Sequence, residues 1–286
     1  MNPLPPSWGN WWCWGVEEYD VIYTSGGITA ATDKEKWIMM QYVKLFQYSP
    51  VDWWNPSYPC PGSVPDLYVG EAIDFDMPSD SGSQDTCGFD QALNLLYQQG
   101  YGAGNDVYFA GLCLRDPNAA VQPTAYAGHI LRNDEYVYPQ SGYADDSLYS
   151  VMTKPGFSIY DLPGQRTDYN VVLTADTIAA HSPNPADTNK YVFLVALSNK
   201  GLEELKHLVK ITMCGNVNRD DRINLGDAIY LAKYVQGQPG FYPWLYMGDV
   251  TGTDCKVNLS DVIYLAKYIQ GAAGYDLKCY CEQKWP

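Results

Sequence analysis

The chain lacks long hydrophobic runs and has few basic residues. Its longest apolar stretches, such as residues 37–40 and 191–197, are far shorter than the roughly 20 residues of a membrane-spanning helix. It has 18 Lys and Arg against 33 Asp and Glu, which gives a net charge of −15 and a negative electrostatic field, and no Lys/Arg cluster reverses that field locally. Such a field repels phosphate groups. We therefore expect neither a membrane span nor a nucleic-acid partner.

The sequence also lacks the common motifs of hydrolase active sites and a recognisable signal peptide. The three histidines, His129, His181 and His207, lie in dissimilar contexts, and neither Gly-x-Ser-x-Gly nor His-Glu-x-x-His occurs. We therefore predict structural histidines and a protein that is not an enzyme. The first residues are neither basic nor apolar, as a signal peptide would be, so we expect a mature or excised portion of a longer precursor.

Eight cysteines are present, and their spacing favours disulfides over zinc. Zinc sites usually need Cys-x-x-Cys pairs or nearby histidines, which this chain does not provide. Disulfides indicate an oxidising compartment, so we predict a secreted, extracellular protein that can associate with the cell surface. The predicted pairs are Cys13–Cys60, Cys87–Cys113, and Cys214 and Cys255 with Cys279 and Cys281 in either order.

The residue patterns divide the 286-residue chain into three parts. Residues 1–66 form an aromatic and Pro-rich segment, with one helix predicted over residues 33–46 from its apolar spacing. Residues 67–213 contain short apolar or alternating runs between turn residues, which predict a β-sandwich domain, followed by a helix at 201–210. Residues 214–286 form a small C-terminal α-helical module. The predicted fold class is therefore mainly β.

The C-terminal module contains an internal repeat. Residues 215–237 align with residues 248–271, and both helical halves read Asp-x-Ile-Tyr-Leu-Ala-Lys-Tyr-x-Gln-Gly, 34 residues apart. Before each helix, oxygen-bearing side chains fall at positions 1, 3, 5, 9 and 12 of a loop, with a backbone carbonyl at position 7, as in EF-hand calcium loops. Loop 1 supplies Asn216, Asn218, Asp220, Arg222 (carbonyl), Asn224 and Asp227. Loop 2, with one inserted residue near Thr253, supplies Asp249, Thr251, Asp254, Lys256 (carbonyl), Asn258 and Asp261.

This tandem loop-helix arrangement resembles type I dockerin modules over residues 214–274. The resemblance implies two Ca²⁺ sites and a calcium-dependent docking element that attaches secreted proteins to cohesin-bearing scaffolds. Loop 1 departs from the dockerin pattern at Asn216, where Asp is usual, and at Asp221, where Gly is usual, so loop 2 is expected to bind calcium more tightly. Leu225-Gly226 and Leu259-Ser260 replace the Ser-Thr pair that often contacts cohesin, which leaves the partner open. The preceding sandwich also resembles regions that precede dockerin repeats in large secreted proteins of environmental bacteria.

The two repeated helices have equivalent predicted faces. We expect one apolar face on each helix, formed by Leu225, Ala228, Ile229, Ala232 and Val235 and by Leu259, Val262, Ile263, Ala266 and Ile269. The flanking residues are either a duplicated recognition face or partly buried aromatics: Tyr230, Lys233 and Tyr234, and Tyr264, Lys267 and Tyr268.

A second acidic cluster contains Asp74, Asp76 and Asp80 and continues through Asp85 and Asp90. Asp74 and Asp76 would lie on one face of a strand. The cluster is a solvated loop, a third calcium site or a catalytic carboxylate pair.

These patterns predict an extracellular, non-catalytic structural or assembly protein that docks through its calcium-stabilised module. Its partner is either copies of itself, in a fibre or sheath, or a cohesin-like scaffold protein. The alternative is a carbohydrate-binding or glycoside hydrolase component attached to a scaffold through its dockerin, with polysaccharide as its ligand. For that alternative, the residues that can stack on sugar rings are Trp8, Trp11, Trp12, Trp14, Trp53 and Trp54.

Overall fold

The computed structural model describes thirteen stretches of the chain, which form two β-sheets and six α-helices. The described residues are 14–24, 36–47, 67–75, 85–101, 107–115, 122–136, 145–159, 167–178, 189–220, 222–243, 245–252, 254 and 256–279. The helices are α1 (Asn133–Tyr136), α2 (Asp145–Met152), α3 (Leu202–Ile211), α4 (Leu225–Val235), α5 (Leu245–Gly248) and α6 (Leu259–Ile269). None of the helices in these stretches is long and apolar enough to cross a membrane.

The larger sheet has six strands and the smaller sheet has four. The larger sheet contains, in spatial order, β1 (Trp14–Thr24), β2 (Lys36–Gln47), β10 (Asn189–Ser198), β6 (Val107–Leu114), β5 (Leu95–Tyr101) and β4 (Thr86–Asp90). The smaller sheet contains β3 (Leu67–Asp74), β9 (Tyr169–Ile178), β7 (Ala127–Arg132) and β8 (Gly156–Ile159). Neighbouring strands are antiparallel except β7 and β8, which are parallel.

The two sheets pack face to face through alternating side chains. On β10, Phe193 is buried against the smaller sheet, and on β6 Leu112 lies in the same inter-sheet core. The intervening residues Leu194 and Cys113 point to the opposite face, where they belong to a second core. Because both faces of these central strands are covered, their sequences are almost continuously apolar.

The second core joins the large sheet to the C-terminal repeats. Helix α3 buries Leu205 and Leu208 against the outer face of the sheet, and the same cluster of buried residues continues through Leu231 of α4 and Leu265 of α6. The outer face of the smaller sheet is covered by α2, through Val151. The repeats therefore pack on the body through a shared core.

The structure confirms a β body and corrects two expectations. The fold is mixed α/β, with two predominantly antiparallel sheets, where the sequence predicted a mainly β class. The helix predicted over residues 33–46 is wrong, because Lys36–Gln47 is strand β2, paired with β1 on one side and β10 on the other. A long apolar run fits both helical spacing and a central strand, and here pairing on both sides decides the outcome. Strands β1 and β2 thus belong to the sheet of the body.

A buried arginine anchors α3 to the body. Arg115 follows β6, and its Nη2 donates to the carbonyl of Lys210 at 2.9 Å while its Nε donates to the carbonyl of Thr212 at 3.4 Å. The last carbonyls of a helix have no partners within the helix, and a cation there also favours the helix dipole. Lys206 of the same helix forms an ion pair with Asp90 of β4 at 3.0 Å.

Replacing this arginine should therefore loosen the attachment of α3. We predict that Arg115→Met lowers the free energy of unfolding by about 2–4 kcal/mol, because two carbonyls at the end of α3, one of them in a buried hydrogen bond, lose a charged donor. The matched control is Arg132→Met, since Arg132 pairs with Asp134 at the surface and should change the stability by less than about 1 kcal/mol. Urea unfolding followed by circular dichroism measures both. Equal losses in the two variants would contradict the anchoring role.

Candidate metal centre

The two repeated helices begin with the same capping box. Asn224 and Asn258 adopt nearly equal backbone angles, φ −149° and ψ −177° against φ −144° and ψ −172°. The Oδ2 of Asp227 accepts from the backbone N–H of Asn224 at 2.8 Å, and the Oδ2 of Asp261 accepts from that of Asn258 at 2.9 Å. The ninth and twelfth positions of each loop, as numbered from the sequence, are thereby joined by the helix cap.

Loop 1 closes into a hydrogen-bonded ring of its predicted ligands. The backbone N–H of Asp220 donates to Oδ1 of Asn216 at 3.2 Å and to Oδ1 of Asn218 at 3.0 Å. The side-chain amides of Asn218 and Asn224 both donate to Oδ2 of Asp220, at 2.9 and 3.4 Å. Asp227 completes the ring, since its Oδ1 accepts from the backbone N–H of Asn218 at 3.2 Å. All five predicted side-chain ligands are therefore brought together.

Loop 2 brings its predicted ligands together in two linked groups. The hydroxyl of Thr251 lies 3.3 Å from Oδ1 of Asp249 and 3.2 Å from Oδ1 of Asp261. The side-chain amide of Asn258 donates to Oδ2 of Asp254 at 2.9 Å. Like the equivalent pair in loop 1, this Asn and Asp are four residues apart. The inserted residue therefore falls between Thr251 and Asp254.

The seventh and fourth positions are also equivalent in the two loops. The backbone N–H groups of Arg222 and Lys256, the predicted carbonyl ligands, each donate to Oδ1 of the aspartate two residues earlier, at 3.0 and 3.1 Å. Arg219 and Gly252, at the fourth position, both have left-handed backbones, with φ of 67° and 62°. Only glycine adopts this conformation without strain. Asp221, which the sequence singled out for this role, lies outside the described residues.

Buried carboxylates line both loops. Asp227, Asp249 and Asp261 are almost inaccessible to solvent, and Oδ2 of Asp249 has no hydrogen-bond partner in the described structure. Burial raises the pKa of Asp249, and the charges of Asp261 and Asp254 raise it further. Burial likewise raises the pKa of Asp227, although the N–H groups of Asn224 and Asn218 act in the opposite direction. Clustered, desolvated carboxylates are expensive unless a cation compensates them.

The chemistry of this donor set fits a hard divalent cation. The predicted ligands offer only carboxylate, amide, hydroxyl and carbonyl oxygens, which calcium prefers. In the described part of the chain, no three His, Cys, Asp or Glu side chains form a metal-binding group, so neutral Asn and Thr oxygens would have to complete each set. In loop 2, the buried Oδ2 of Asp249, which has no hydrogen-bond partner in the described structure, is the atom whose charge a bound cation would compensate.

The predicted apolar faces of α4 and α6 are only partly buried. Leu225, Ile229, Leu259 and Ile263 are exposed, at 59%, 48%, 60% and 54% of their surface. The capping box explains the difference, because it turns the aspartate at the third helical position inward. Leu231 and Leu265 lie four residues after these aspartates, on the same side of the helix, and are buried in the core. The four exposed residues lie two positions before or after the same aspartates and therefore point to the opposite side.

Tyr230 and Tyr264 each pack against an aromatic residue in a turn after the helix, which the sequence patterns did not predict. The ring of Tyr230 packs edge-on against Phe241 at a centroid distance of 5.0 Å, and Tyr264 packs against Tyr275 at 4.9 Å. Each repeat therefore extends beyond its helix into a further turn. A Gly-x-x-Gly-aromatic pattern, which occurs at residues 237–241 and again at 271–275, could have predicted this turn from the sequence. In the structure, Tyr230 and Tyr264 act as packing residues.

A disulfide closes the module. Cys214, just before loop 1, is bonded to Cys279, after α6, with their Cα atoms 5.4 Å apart, which confirms one of the two predicted arrangements for Cys214. Beside it, the N–H of Gly215 donates to the carbonyl of Met247 at 2.9 Å, so the chain segments that lead into the two loops are paired. The remaining cysteines of the predicted pairs lie outside the described residues: Cys13, Cys60, Cys255 and Cys281.

The predicted Cys87–Cys113 disulfide is wrong. Cys113 carries a buried thiol that donates to the carbonyl of Leu93 at 3.0 Å. Cys87 lies on β4 and Cys113 on β6, and β5 lies between these strands. Two inter-strand spacings amount to about 9.5 Å, beyond the Cα separation of about 7 Å that a disulfide can bridge.

The structure describes only part of the second acidic cluster and none of the sugar-stacking side chains. Asp74 ends β3, and its Oδ2 accepts from the side-chain amide of Asn133 at 2.7 Å. Asp76 and Asp80 are not among the described residues, and the structure describes none of the six tryptophan side chains named above. The third calcium site and the carbohydrate alternative therefore stay predictions.

His129 is a buried part of the smaller sheet. Its Nδ1 lies 2.8 Å from the hydroxyl of Ser158, and its Nε2 lies 2.9 Å from the carbonyl of Lys154. Because a carbonyl only accepts, Nε2 carries a proton and Nδ1 of the neutral ring accepts from Ser158. Burial lowers the pKa of this imidazole, which favours the neutral form. His207 lies on α3, and His181 is outside the described residues.

No protein-family model matches this chain, and no curated protein matches it significantly.

The cysteine arrangement predicts a specific thiol-labelling pattern. Without reductant, an alkylating reagent at pH 8 should leave Cys113 unmodified in the native protein, because burial raises the pKa of its thiol to about 12. In denaturant the same reagent should label Cys113 but neither Cys214 nor Cys279. Peptide mass spectrometry locates the labels. Labelling of Cys214 or Cys279 before reduction would contradict the disulfide, and fast native labelling of Cys113 would contradict its burial.

Burial of His129 predicts a loss of stability in mild acid. The unfolded chain protonates histidine near pH 6.5, whereas the folded chain resists protonation, so the unfolded state binds the proton first as the pH falls. The free energy of unfolding should therefore fall between about pH 7 and pH 5 more steeply in the wild type than in His129→Gln. Urea titrations at several pH values measure this difference. Equal pH slopes in the two proteins would show that His129 contributes nothing to it.

Proposed function

We propose that this chain is an extracellular, non-catalytic assembly protein whose C-terminal repeats bind calcium and dock onto a second copy of the chain. The proposal rests first on an apolar surface that folding leaves uncovered. Leu225 and Ile229 of α4 are exposed, and so are Leu259 and Ile263 at the equivalent positions of α6; we call these four residues the paired patch.

The paired patch is the observation that carries the proposal. Eight large apolar side chains are exposed among the described residues, and the paired patch supplies four of them. Single exposed apolar residues are common, but the same leucine and isoleucine exposed at equivalent positions of two repeats indicate a contact surface. Burying such side chains in an interface is worth about 1.5–3 kcal/mol each.

The charge distribution favours the body of a second copy as the partner. Residues 214–286 contain 8 acidic and 7 basic residues, a net charge of −1, so one bound Ca²⁺ makes this part slightly positive. Residues 1–213 contain 25 acidic and 11 basic residues, a net charge of −14. Within them, residues 45–114 contain no Lys or Arg. A calcium-loaded module is therefore attracted to the acidic body of a neighbour and not to another module.

This contact would join two different surfaces of the same chain. Such a heterologous contact propagates into a ring or a filament. The module packs on its own body through the α3 core, so successive copies would be related by a fixed rotation. A flexible linker would not impose that geometry.

Calcium would act at the start of the helix that follows its loop. Leu225 and Leu259 directly follow the capping residues Asn224 and Asn258, whose side chains belong to the predicted ligand sets. When bound, the ion supplies positive charge that compensates the buried carboxylates of the loops. Where an ion is bound, the capping box then holds the first helical turn in place, and with it the residues of the paired patch on that helix.

The test is the mass of the full chain in solution, measured by sedimentation velocity in calcium at several protein concentrations. The wild type should associate, and added salt should weaken the association because the partner surface is acidic. Leu225→Gln combined with Leu259→Gln should weaken it by at least about 100-fold. Ile159→Gln, at an exposed position on β8 outside the paired patch, is the matched control and should associate like the wild type.

Two outcomes would overturn this proposal. A wild-type chain that stays monomeric in calcium at high concentration would rule out self-assembly and leave docking to a different protein. Association that persists unchanged in the double leucine variant would place the contact elsewhere on the surface.

A further inference from the structure

We infer that the two loops are not equivalent: loop 2 needs a calcium ion to close, whereas loop 1 closes through its own hydrogen bonds. Calcium would then control only the half of the paired patch that α6 carries. This inference rests on the proposed function, because it assumes that the repeats bind calcium and that the paired patch docks.

Loop 2 contains a buried charge that its own atoms leave uncompensated. Asp249 is only 4% exposed, and its Oδ1 accepts from the N–H of Gly252 at 3.0 Å, while its Oδ2 is inaccessible and has no partner in the described structure. Asp261 is fully buried nearby. The Thr251 hydroxyl lies within hydrogen-bond distance of both carboxylates, but its single proton serves only one at a time. A cation that contacts Oδ2 of Asp249 would remove this imbalance.

Loop 1 has no such imbalance at the same position. Asn216 replaces the aspartate and is completely buried, yet both ends of its amide are used. Its Nδ2 donates to the carbonyl of Ile211 at 3.0 Å, and its Oδ1 accepts from the N–H of Asp220 at 3.2 Å. A carboxylate could not make the first of these bonds, because it has no proton to donate. None of the described loop 1 residues has a buried side-chain oxygen or nitrogen without a partner.

Loop 1 is also held by the body. Ile211, whose carbonyl binds Asn216, is the last residue of α3, and Arg115 of the body caps the end of that helix. The folded sandwich therefore supports loop 1 without any ion. The backbone bonds at the start of loop 2 lie within the module, where the N–H of Lys278 donates to the carbonyl of Val250 at 2.9 Å.

The consequence is a docking surface in two differently controlled halves. Leu225 and Ile229 follow loop 1 and would be presented with or without calcium. Leu259 and Ile263 follow loop 2 and would be fixed only when the ion compensates Asp249. Removing calcium would then weaken docking by loosening one half of the paired patch and leaving the other intact.

The test combines calcium stoichiometry with hydrogen exchange on the full chain. Native mass spectrometry should show one tightly bound Ca²⁺ per wild-type chain. Adding EDTA should raise amide exchange in residues 249–262 and leave residues 216–228 unchanged. Asp249→Asn should weaken calcium binding by at least about tenfold, since altering even an outer-shell partner costs about 10–100-fold in metal affinity. Asn216→Asp should add a second ion and raise exchange in loop 1 in EDTA.

A second pair of variants guards against misfolding. Asp220 and Asp254 occupy the same loop position and are both exposed, so neither substitution disturbs the core. Asp254→Asn should weaken the single tight site, whereas Asp220→Asn should leave it unchanged. Circular dichroism in calcium checks that every variant is folded.

The number of bound ions tests this inference, whereas the assembly state tests the proposed function, so the two can fail separately. Two ions of similar affinity, or equal exchange in both loops after chelation, would overturn the inference even if the chain assembles. One tight ion at loop 2 in a chain that stays monomeric would sustain the inference and overturn the proposed self-assembly. No bound calcium at all would overturn the inference and the proposed role of the ion together.

Discussion

A carboxylate buried in the first turn of each repeated helix sets the geometry of the C-terminal module. Asp227 and Asp261 each cap a helix with one oxygen and close the preceding loop with the other. A side chain with these two bonds must point inward, so it fixes the rotation of its helix. Leu231 and Leu265 are buried in consequence, and the paired patch is turned outward. The closed loops and the exposed paired patch therefore have the same cause, the inward-pointing aspartate of each repeat.

The shared core decides how the module relates to the rest of the chain. Helix α3 packs on the large sheet, its buried residues belong to the same core as those of the repeats, and Arg115 holds its last turn. Part of the apolar surface of the repeats is thus buried by the body. Loop 1 is linked to α3 directly, because Asn216 donates a hydrogen bond to the carbonyl of Ile211. Module and sandwich are expected to unfold as one cooperative unit.

Local patterns predicted the repeated helices and the spacing of the loop ligands, because both depend on residues close in sequence. Patterns that depend on distant partners failed. The run that forms β2 has helical spacing, and only its neighbours β1 and β10 make it a strand. The outward turn of Leu225 could not be predicted from hydrophobicity, since the inward direction of Asp227 overrides it. The Cys87–Cys113 pairing failed because strand order is not visible in the sequence.

The central claim is that calcium stabilises a module that forms one unit with the sandwich. The most direct measurement is thermal unfolding of the full chain, followed through the β-sheet circular dichroism signal over a series of calcium activities. An ion that binds only the folded state raises the stability with the logarithm of its concentration. The account predicts one transition whose midpoint rises with calcium and returns after chelation. A β-sheet transition whose midpoint does not change with calcium would contradict it.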